Sequence, residues 1–310
     1  MSRVFAKKSW QTIALLLISA IVAVAVAACS TSISGFSGGG DLAIGSKNFT
    51  EQVILGELLA QHIENQTDLK VQRRLNLGGT FICHRAIVAG QIDAYVEYTG
   101  TALSAILNKK PISNPQKVYQ IVAEEYRQQF NLEVGQSLGF QNTYAIVVRN
   151  EDAQKYQLKT ISDLARYAPE WEAGFGYEFI SREDGFPGLS DTYNLKFSSS
   201  PEIMDLGLMY RALVNNKVDA IAANSTDGLI ETLNLVVLED DKKYFPPYEA
   251  IPVIRQETLE KYPELAEVIG QISGNISAAE MRQLNYQVDG EFRKVKNVVA
   301  EFLAEKNFGQ

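Results

Sequence analysis

Two stretches of this chain, Ile92-Asp93-Ala94-Tyr95-Val96-Glu97-Tyr98-Thr99 and Val218-Asp219-Ala220-Ile221-Ala222-Ala223-Asn224-Ser225, align without a gap at an offset of 126 residues. Each follows a helical pattern and a short polar turn, Gly90-Gln91 in one case and Asn215-Asn216-Lys217 in the other. Each reads as a strand running into a polar loop. If the likeness is more than chance between two short strands, the chain has two similar halves. Ligands of open parallel sheets bind beyond the carboxyl ends of strands. Two such ends, one per half, would then face each other across a cleft.

The pattern around the first stretch supports this. Ile54, Leu55, Leu58, Leu59 and Ile63 mark one helix face, and Val71 and Leu75 alternate with Lys70, Gln72, Arg74 and Asn76 as in a half-buried strand. Gly78-Gly79-Thr80 opens a second helix over Phe81–Ala89, and Ile92–Val96 follows as a strand. This alternation predicts an α/β fold with mainly parallel sheets. Between the first strand pattern (Leu42, Ala43, Ile44) and the first helix lies Gly-Ser-Lys-Asn-Phe-Thr-Glu-Gln, residues 45–52. Asn48 is placed to cap the helix, with Glu51 three residues on and Lys47 just before. Helix-terminal amides beside an ammonium attract an anion. An ordinary capped helix with a surface lysine is the alternative.

The ends of the chain carry other information. Arg3, Lys7 and Lys8 precede an apolar run from Ile13 to Ala28 that ends in Val26-Ala27-Ala28-Cys29. A basic segment, a short apolar segment and small residues describe a secretory signal over 1–28. The run is shorter than the roughly 20 residues a membrane-spanning helix needs. Val-Ala-Ala-Cys resembles the lipobox of bacterial lipoproteins, which implies cleavage before Cys29, lipidation there and export. Residues 29–40 would then be the lipidated cysteine and a flexible Ser/Gly-rich tether. The exported part has 26 basic and 37 acidic residues. Without a basic cluster it is unsuited to nucleic acid. Cys83 is its other cysteine, so no disulfide framework exists, and its apolar helical setting predicts a core residue.

Enzyme signatures are missing. His62 and His84 lie in separate helical patterns without metal-ligand spacing, and no P-loop, dinucleotide fingerprint or nucleophile elbow occurs. Neither a metal nor a cofactor is expected. Among the acids, Glu97 alone is expected near a site. Tyr98, Tyr144 and Tyr248 sit in loops beside strand patterns, where packing explains them less well. Converging tyrosines with no nearby carboxylate suit a quaternary ammonium, each ring face giving on the order of 0.5–2 kcal/mol.

Together, Gly-Ser-Lys-Asn-Phe-Thr-Glu-Gln, Asp-Ala-Tyr-Val-Glu-Tyr-Thr-Gly-Thr, Gln-Asn-Thr-Tyr, Ser-Thr-Asp-Gly and Asp-Asp-Lys-Lys-Tyr-Phe-Pro-Pro-Tyr resemble the osmoprotectant (glycine betaine/choline/carnitine) substrate-binding proteins of ABC importers, in the branch with a tyrosine cage. The resemblance implies a two-lobed periplasmic-binding-protein fold of type II with the ligand cleft between lobes. It implies lobe 1 over 41–142 plus 247–310 and lobe 2 over 143–246, crossing near Gln141–Thr143 and Tyr244–Pro247. The last segment is expected to hold helices over Pro263–Ser273 and Ala278–Ala304. By position, the cage is Tyr98, Tyr144, Asn224 and Tyr248. Asn224 departs from the family's usual tyrosine, which predicts a cage opened on that side to a bulkier, more polar or less methylated ligand, unless Tyr177 or Tyr193 fills the gap. Lys47, Thr101 and Arg182 match the family's carboxylate-holding residues, and retention of Arg182 favours a zwitterion over choline; a salt bridge of Arg182 with Glu183 or Asp184 is the alternative. The implied partners are an ABC permease and ATPase, with the membrane reached through the lipid anchor and the protein itself a monomer on the periplasmic or extracellular side. A receptor of the same fold for an amino acid or another cationic solute is the competing reading.

Overall fold

The computed structural model describes residues 40–308, so the proposed signal, Cys29 and most of the tether lie outside the described residues. Two five-stranded sheets organise it. The first contains β1 (Leu42–Lys47), β2 (Val71–Gly78), β3 (Ala94–Tyr98), β4 (Leu132–Val134) and β10 (Ala250–Arg255), in the order β2-β1-β3-β10-β4. The second contains β5 (Tyr144–Arg149), β6 (Ala173–Phe175), β7 (Glu202–Ile203), β8 (Ala220–Asn224) and β9 (Leu235–Leu238), in the order β7-β6-β8-β5-β9. The helices needed below are α1 (Thr50–Gln66), α2 (Thr80–Val88), α3 (Pro115–Phe130), α4 (Tyr177–Ser181), α5 (Leu206–Val214), α6 (Ala278–Asp289) and α7 (Val295–Lys306).

The repeated stretches become β3 and β8, each the third strand of its sheet. β3 pairs parallel with β1 and antiparallel with β10, while β8 pairs parallel with β6 and antiparallel with β5. Tyr98 and Asn224 are the last residues of these two strands. The sheets are mixed rather than mainly parallel. The reason is connectivity: β5 and β10 are the strands by which the chain enters the second sheet and returns to the first, and each runs antiparallel to its neighbours. The two passages lie side by side, tied by the Asn142 N–H donating to the Tyr248 carbonyl (3.0 Å) and by a bridge between Gln141 and Glu249.

Each sheet is covered on both faces. Leu55, Leu58 and Leu59 of α1 pack with Val299 and Leu303 of α7 against one face of the first sheet. Ile87 of α2 and Val118 and Val122 of α3 cover the other, together with the buried Cys83, whose thiol burial pushes up to about 12. Trp171, Phe175 and Leu189 form one core of the second sheet; Met209 and Leu213 of α5 belong to the other. The polar residues Glu57, Gln61 and His62 of α1 are buried too: Arg73 of β2 pairs with Glu57, Gln61 donates to the Lys296 carbonyl of α7, and His62 lies against the Val268 carbonyl and the Phe308 ring. The helix expected over Ala278–Ala304 is two. It breaks after Asp289 at Gly290, and Phe292 takes a left-handed φ of 57° before α7 begins. The helix expected over Pro263–Ser273 is regular only over Leu265–Gly270.

Candidate functional site

Helix α1 does not start as capping chemistry predicts. Its N-cap is Phe49, with no side-chain hydrogen bond, rather than Asn48. Glu51 is occupied elsewhere. Its buried carboxylate accepts from Tyr98 Oη (2.6 Å), Asn142 Nδ2 (2.8 Å), Thr226 Oγ1 (2.5 Å) and Asn285 Nδ2 (3.2 Å). Burial pushes this carboxyl above its ordinary range, while all four donors pull it back. The donors come from both lobes, from a crossing segment and from α6, so Glu51 ties these four segments together.

The seven residues picked from sequence as the site all line one small cavity of about 50 Å³: Tyr98, Tyr144, Asn224 and Tyr248, with Lys47, Thr101 and Arg182. Strand ends bring them there, since Lys47 ends β1, Tyr98 ends β3, Tyr144 opens β5 and Asn224 ends β8. Tyr144 lies directly opposite Asn224 in the sheet, and its ring meets that of Tyr248 edge-on at 6.0 Å. Gly100 makes room for Tyr248: a Cβ there would stand 2.8 Å from the Tyr248 ring. Burial drives the hydroxyls of Tyr98, Tyr144 and Tyr248 well above their ordinary range, so all three stay neutral.

Carboxylates are more prominent than the sequence suggested, against the expectation of Glu97 as the one acid nearby. Lys47 is ion-paired with Glu97 and donates to Thr80 Oγ1 at 3.0 Å. Arg182 grips Asp184 with two bonds of 2.8 and 2.5 Å and also reaches Thr101 Oγ1 across the lobes at 3.2 Å. Tyr248 Oη donates to the same Asp184 at 2.8 Å. The buried pair with Asp184 therefore exists, but Arg182 still lines the cavity. Both cations also lie near cage rings, Lys47 at 5.1 Å from Tyr98 and Arg182 at 5.6 Å from Tyr144.

Four further residues line the cavity, Phe49, Thr80, Asn142 and Glu178. Phe49 stacks on Tyr98 with ring centroids 6.4 Å apart and lines the cavity beside Asn224. Its signal was present, inside the Lys-Asn-Phe-Thr block, but masked by the capping interpretation. Glu178, from α4 of the second lobe, reaches the start of α2 in the first. Neither residue suggested to replace the missing ring does so. Tyr177 is exposed on the outer cleft, and Tyr193 is buried in the second lobe with its hydroxyl on Asp240. Beyond Asn224 the cavity meets two wider clefts, of about 720 and 1060 Å³, and Asn224 and Phe49 border both. Among the described residues, no group of three His, Cys, Asp or Glu side chains is arranged to hold a metal.

Comparison with known proteins gives the family and the architecture. The carnitine transport binding protein OpuCC of Listeria monocytogenes is 38% identical over 285 residues, covering 91% of this chain and 92% of that protein. The ergothioneine transport permease/ergothioneine binding protein EgtU of Helicobacter pylori is 39% identical over 264 residues, covering 84% of this chain but only 47% of that longer protein. A crystal structure of a glycine betaine/carnitine/choline ABC transporter superposes with a TM-score of 0.72 at 36% identity, covering 86% of this chain and 99% of that one. The family model of the substrate binding domain of ABC-type glycine betaine transport systems, OpuAC, matches residues 40–305. Two mixed sheets joined by paired crossings, with aromatic strand ends on a shared cavity, are thus the form this sequence gives to a known architecture, and the chain belongs to the OpuAC family of ABC-transporter substrate-binding domains.

Proposed function

We propose that this protein is the extracytoplasmic receptor of an ABC importer, tethered through a lipid on Cys29, which captures a quaternary-ammonium compatible solute for osmoprotection. The observation that carries the reading is the meeting of Tyr98 and Phe49 from the first lobe with Tyr144 and Tyr248 at the crossings, around one cavity. Neutral, desolvated rings attract a methylated ammonium through their quadrupoles, and such a cation needs no hydrogen-bond acceptor. Asn224 leaves the cage open toward the outer cleft, with room for a substituent larger than those of glycine betaine.

In this reading, Lys47, Thr101 and Arg182 hold a carboxylate where the ligand has one. The bodies that move are 41–142 with 247–310, and 143–246, hinged at the two adjoining crossings. Closure brings Arg182 to Thr101 and Thr226 to Glu51, two contacts between lobes, and the closed form is what a permease and its ATPase partner would engage. Calorimetric titration of the purified full chain with glycine betaine, choline, carnitine and a basic amino acid is the direct test. Binding of at least one quaternary ammonium is expected, weakened about tenfold or more in Tyr248→Ala. Binding of the basic amino acid alone, or of none of the four, would sink the proposal.

A further inference from the structure

The start of α2 carries the elements of a carboxylate receptor, and a side chain of this protein occupies it. Glu178 Oε1 accepts from the Thr80 backbone N–H at 2.5 Å, and Glu178 Oε2 accepts from Thr80 Oγ1 at 3.0 Å. Lys47 Nζ donates to that same threonine oxygen at 3.0 Å, so the lysine supports Glu178 through one hydroxyl. Arg182 Nη1 lies 3.5 Å from Glu178 Oε2. Gly79 leaves the place clear, since a Cβ on it would collide with the Glu178 carboxylate. Three of these groups, Lys47, Thr80 and Arg182, line the ligand cavity together with Glu178.

The charges then add up in one direction. Lys47 is matched by Glu97 and Arg182 by Asp184, both acids nearly fully buried. Glu178 is left over as a negative charge on the cavity wall. These five groups sum to one negative charge, which a ligand with a single positive charge and no carboxylate balances. A zwitterion brings a second carboxylate to Lys47, Thr101 and Arg182, of which Arg182 already lies 3.5 Å from Glu178, so its carboxylate competes with Glu178 and displaces it. The Glu178 side chain is 28% exposed, at the edge of the cleft, so such an exit is open to it.

Resting on the quaternary-ammonium reading above, we infer that Glu178 is the specificity-determining residue of this cleft. It is an internal carboxylate that takes the place of a ligand carboxylate and so favours a net cation of the choline type over a betaine. This reverses the preference that Arg182 alone suggests.

The test is the ratio of affinities for choline and for glycine betaine, measured by calorimetry on the full chain. The wild type should prefer choline. In Glu178→Gln the ratio should move about tenfold or more toward glycine betaine and carnitine, the size of one charge-assisted hydrogen bond. In Glu178→Ala, added acetate should restore choline affinity by occupying the vacated place, which a merely structural role for Glu178 would not produce. A wild type that prefers glycine betaine overturns the inference. So does a ratio that stays within twofold in a Glu178→Gln protein melting at the wild-type temperature, or choline affinity in Glu178→Ala that ignores acetate. A wild type that binds none of these ligands defeats the functional reading itself, whereas binding with an immovable ratio defeats only the role of Glu178.

Discussion

Asp227 shows how much a single side chain contributes at the rim of this cleft. It follows β8 and accepts from Tyr210 Oη at 2.7 Å and from the Asn224 backbone N–H at 3.1 Å, both on Oδ2. Burial, with smaller contributions from Glu51 and Asp289, raises its carboxyl to about 6. An acid whose folded value lies above its unfolded value binds more protons in the folded state. Stability therefore falls as pH rises from about 4, and the loss is complete above about pH 6. Asp227 is only half-buried, so solvent screening limits the penalty to about 1–2 kcal/mol. Asp227→Asn can keep both bonds through its amide oxygen. It should raise the melting temperature at pH 7.5 and leave it unchanged at pH 4; an equal effect at both pH values in thermal melts would contradict this. The seven residues expected from the aromatic pattern and the family resemblance do line one cavity, because tyrosines and motif-borne cations stand out in sequence. The acids do not. The sequence offers Glu51 only as a helix-start residue and Asp184 only as a salt-bridge partner of Arg182, and assigns Glu178 no role; tertiary packing turns them into buried or cleft-facing partners of Tyr98, Tyr248 and Thr80.

At the level of elements, the strand pair β3 and β8 was readable from the repeat, and so was the burial of one face of α1. What failed was local. The N-cap expected at Asn48 lost to Phe49 because Glu51 makes four bonds elsewhere. The long C-terminal helix broke at Gly290 where hydrophobic spacing continued across the break. Helix spacing reports which residues face a core, not whether the backbone between them stays helical. The short helical segment after β3 makes a sharper case. Gly100 lies against Tyr248 and the Pro247 carbonyl, with no space for a methyl group. Gly100→Ala should displace the Tyr248 ring from the cage. Ligand affinity should fall about tenfold or more, for a stability loss of about 1–3 kcal/mol from overpacking. Unchanged affinity in a folded variant would show that Tyr248 does not depend on this contact.

For the whole molecule, the fold class followed from alternating strand and helix patterns, but the antiparallel half of each sheet did not. It arises from the chain passing twice between lobes, a long-range property that no local window contains. The same double passage couples ligand capture to stability. A ligand that touches both lobes binds only the folded chain. At a hundred times its Kd it should contribute about 2.7 kcal/mol and raise the melting temperature by about 5–10 °C. A quaternary ammonium that binds by calorimetry yet leaves the melting temperature unmoved would show that it does not engage the folded cleft.

The crossings have a mechanical consequence. Tyr144 begins the strand that leaves the first crossing, Tyr248 lies on the second, and the Asn142–Tyr248 backbone bond joins the two. The aromatic wall thus stands almost at the fulcrum, while Phe81 and Ile82 of one lobe and Ile203 and Leu208 of the other lie exposed along the outer cleft. On the proposed hinge the lobes would work as long arms on a short pivot. A shift of a fraction of an ångström at the rings would become a larger sweep at the lips, by which a solute of a few atoms would be signalled across the whole width of the protein.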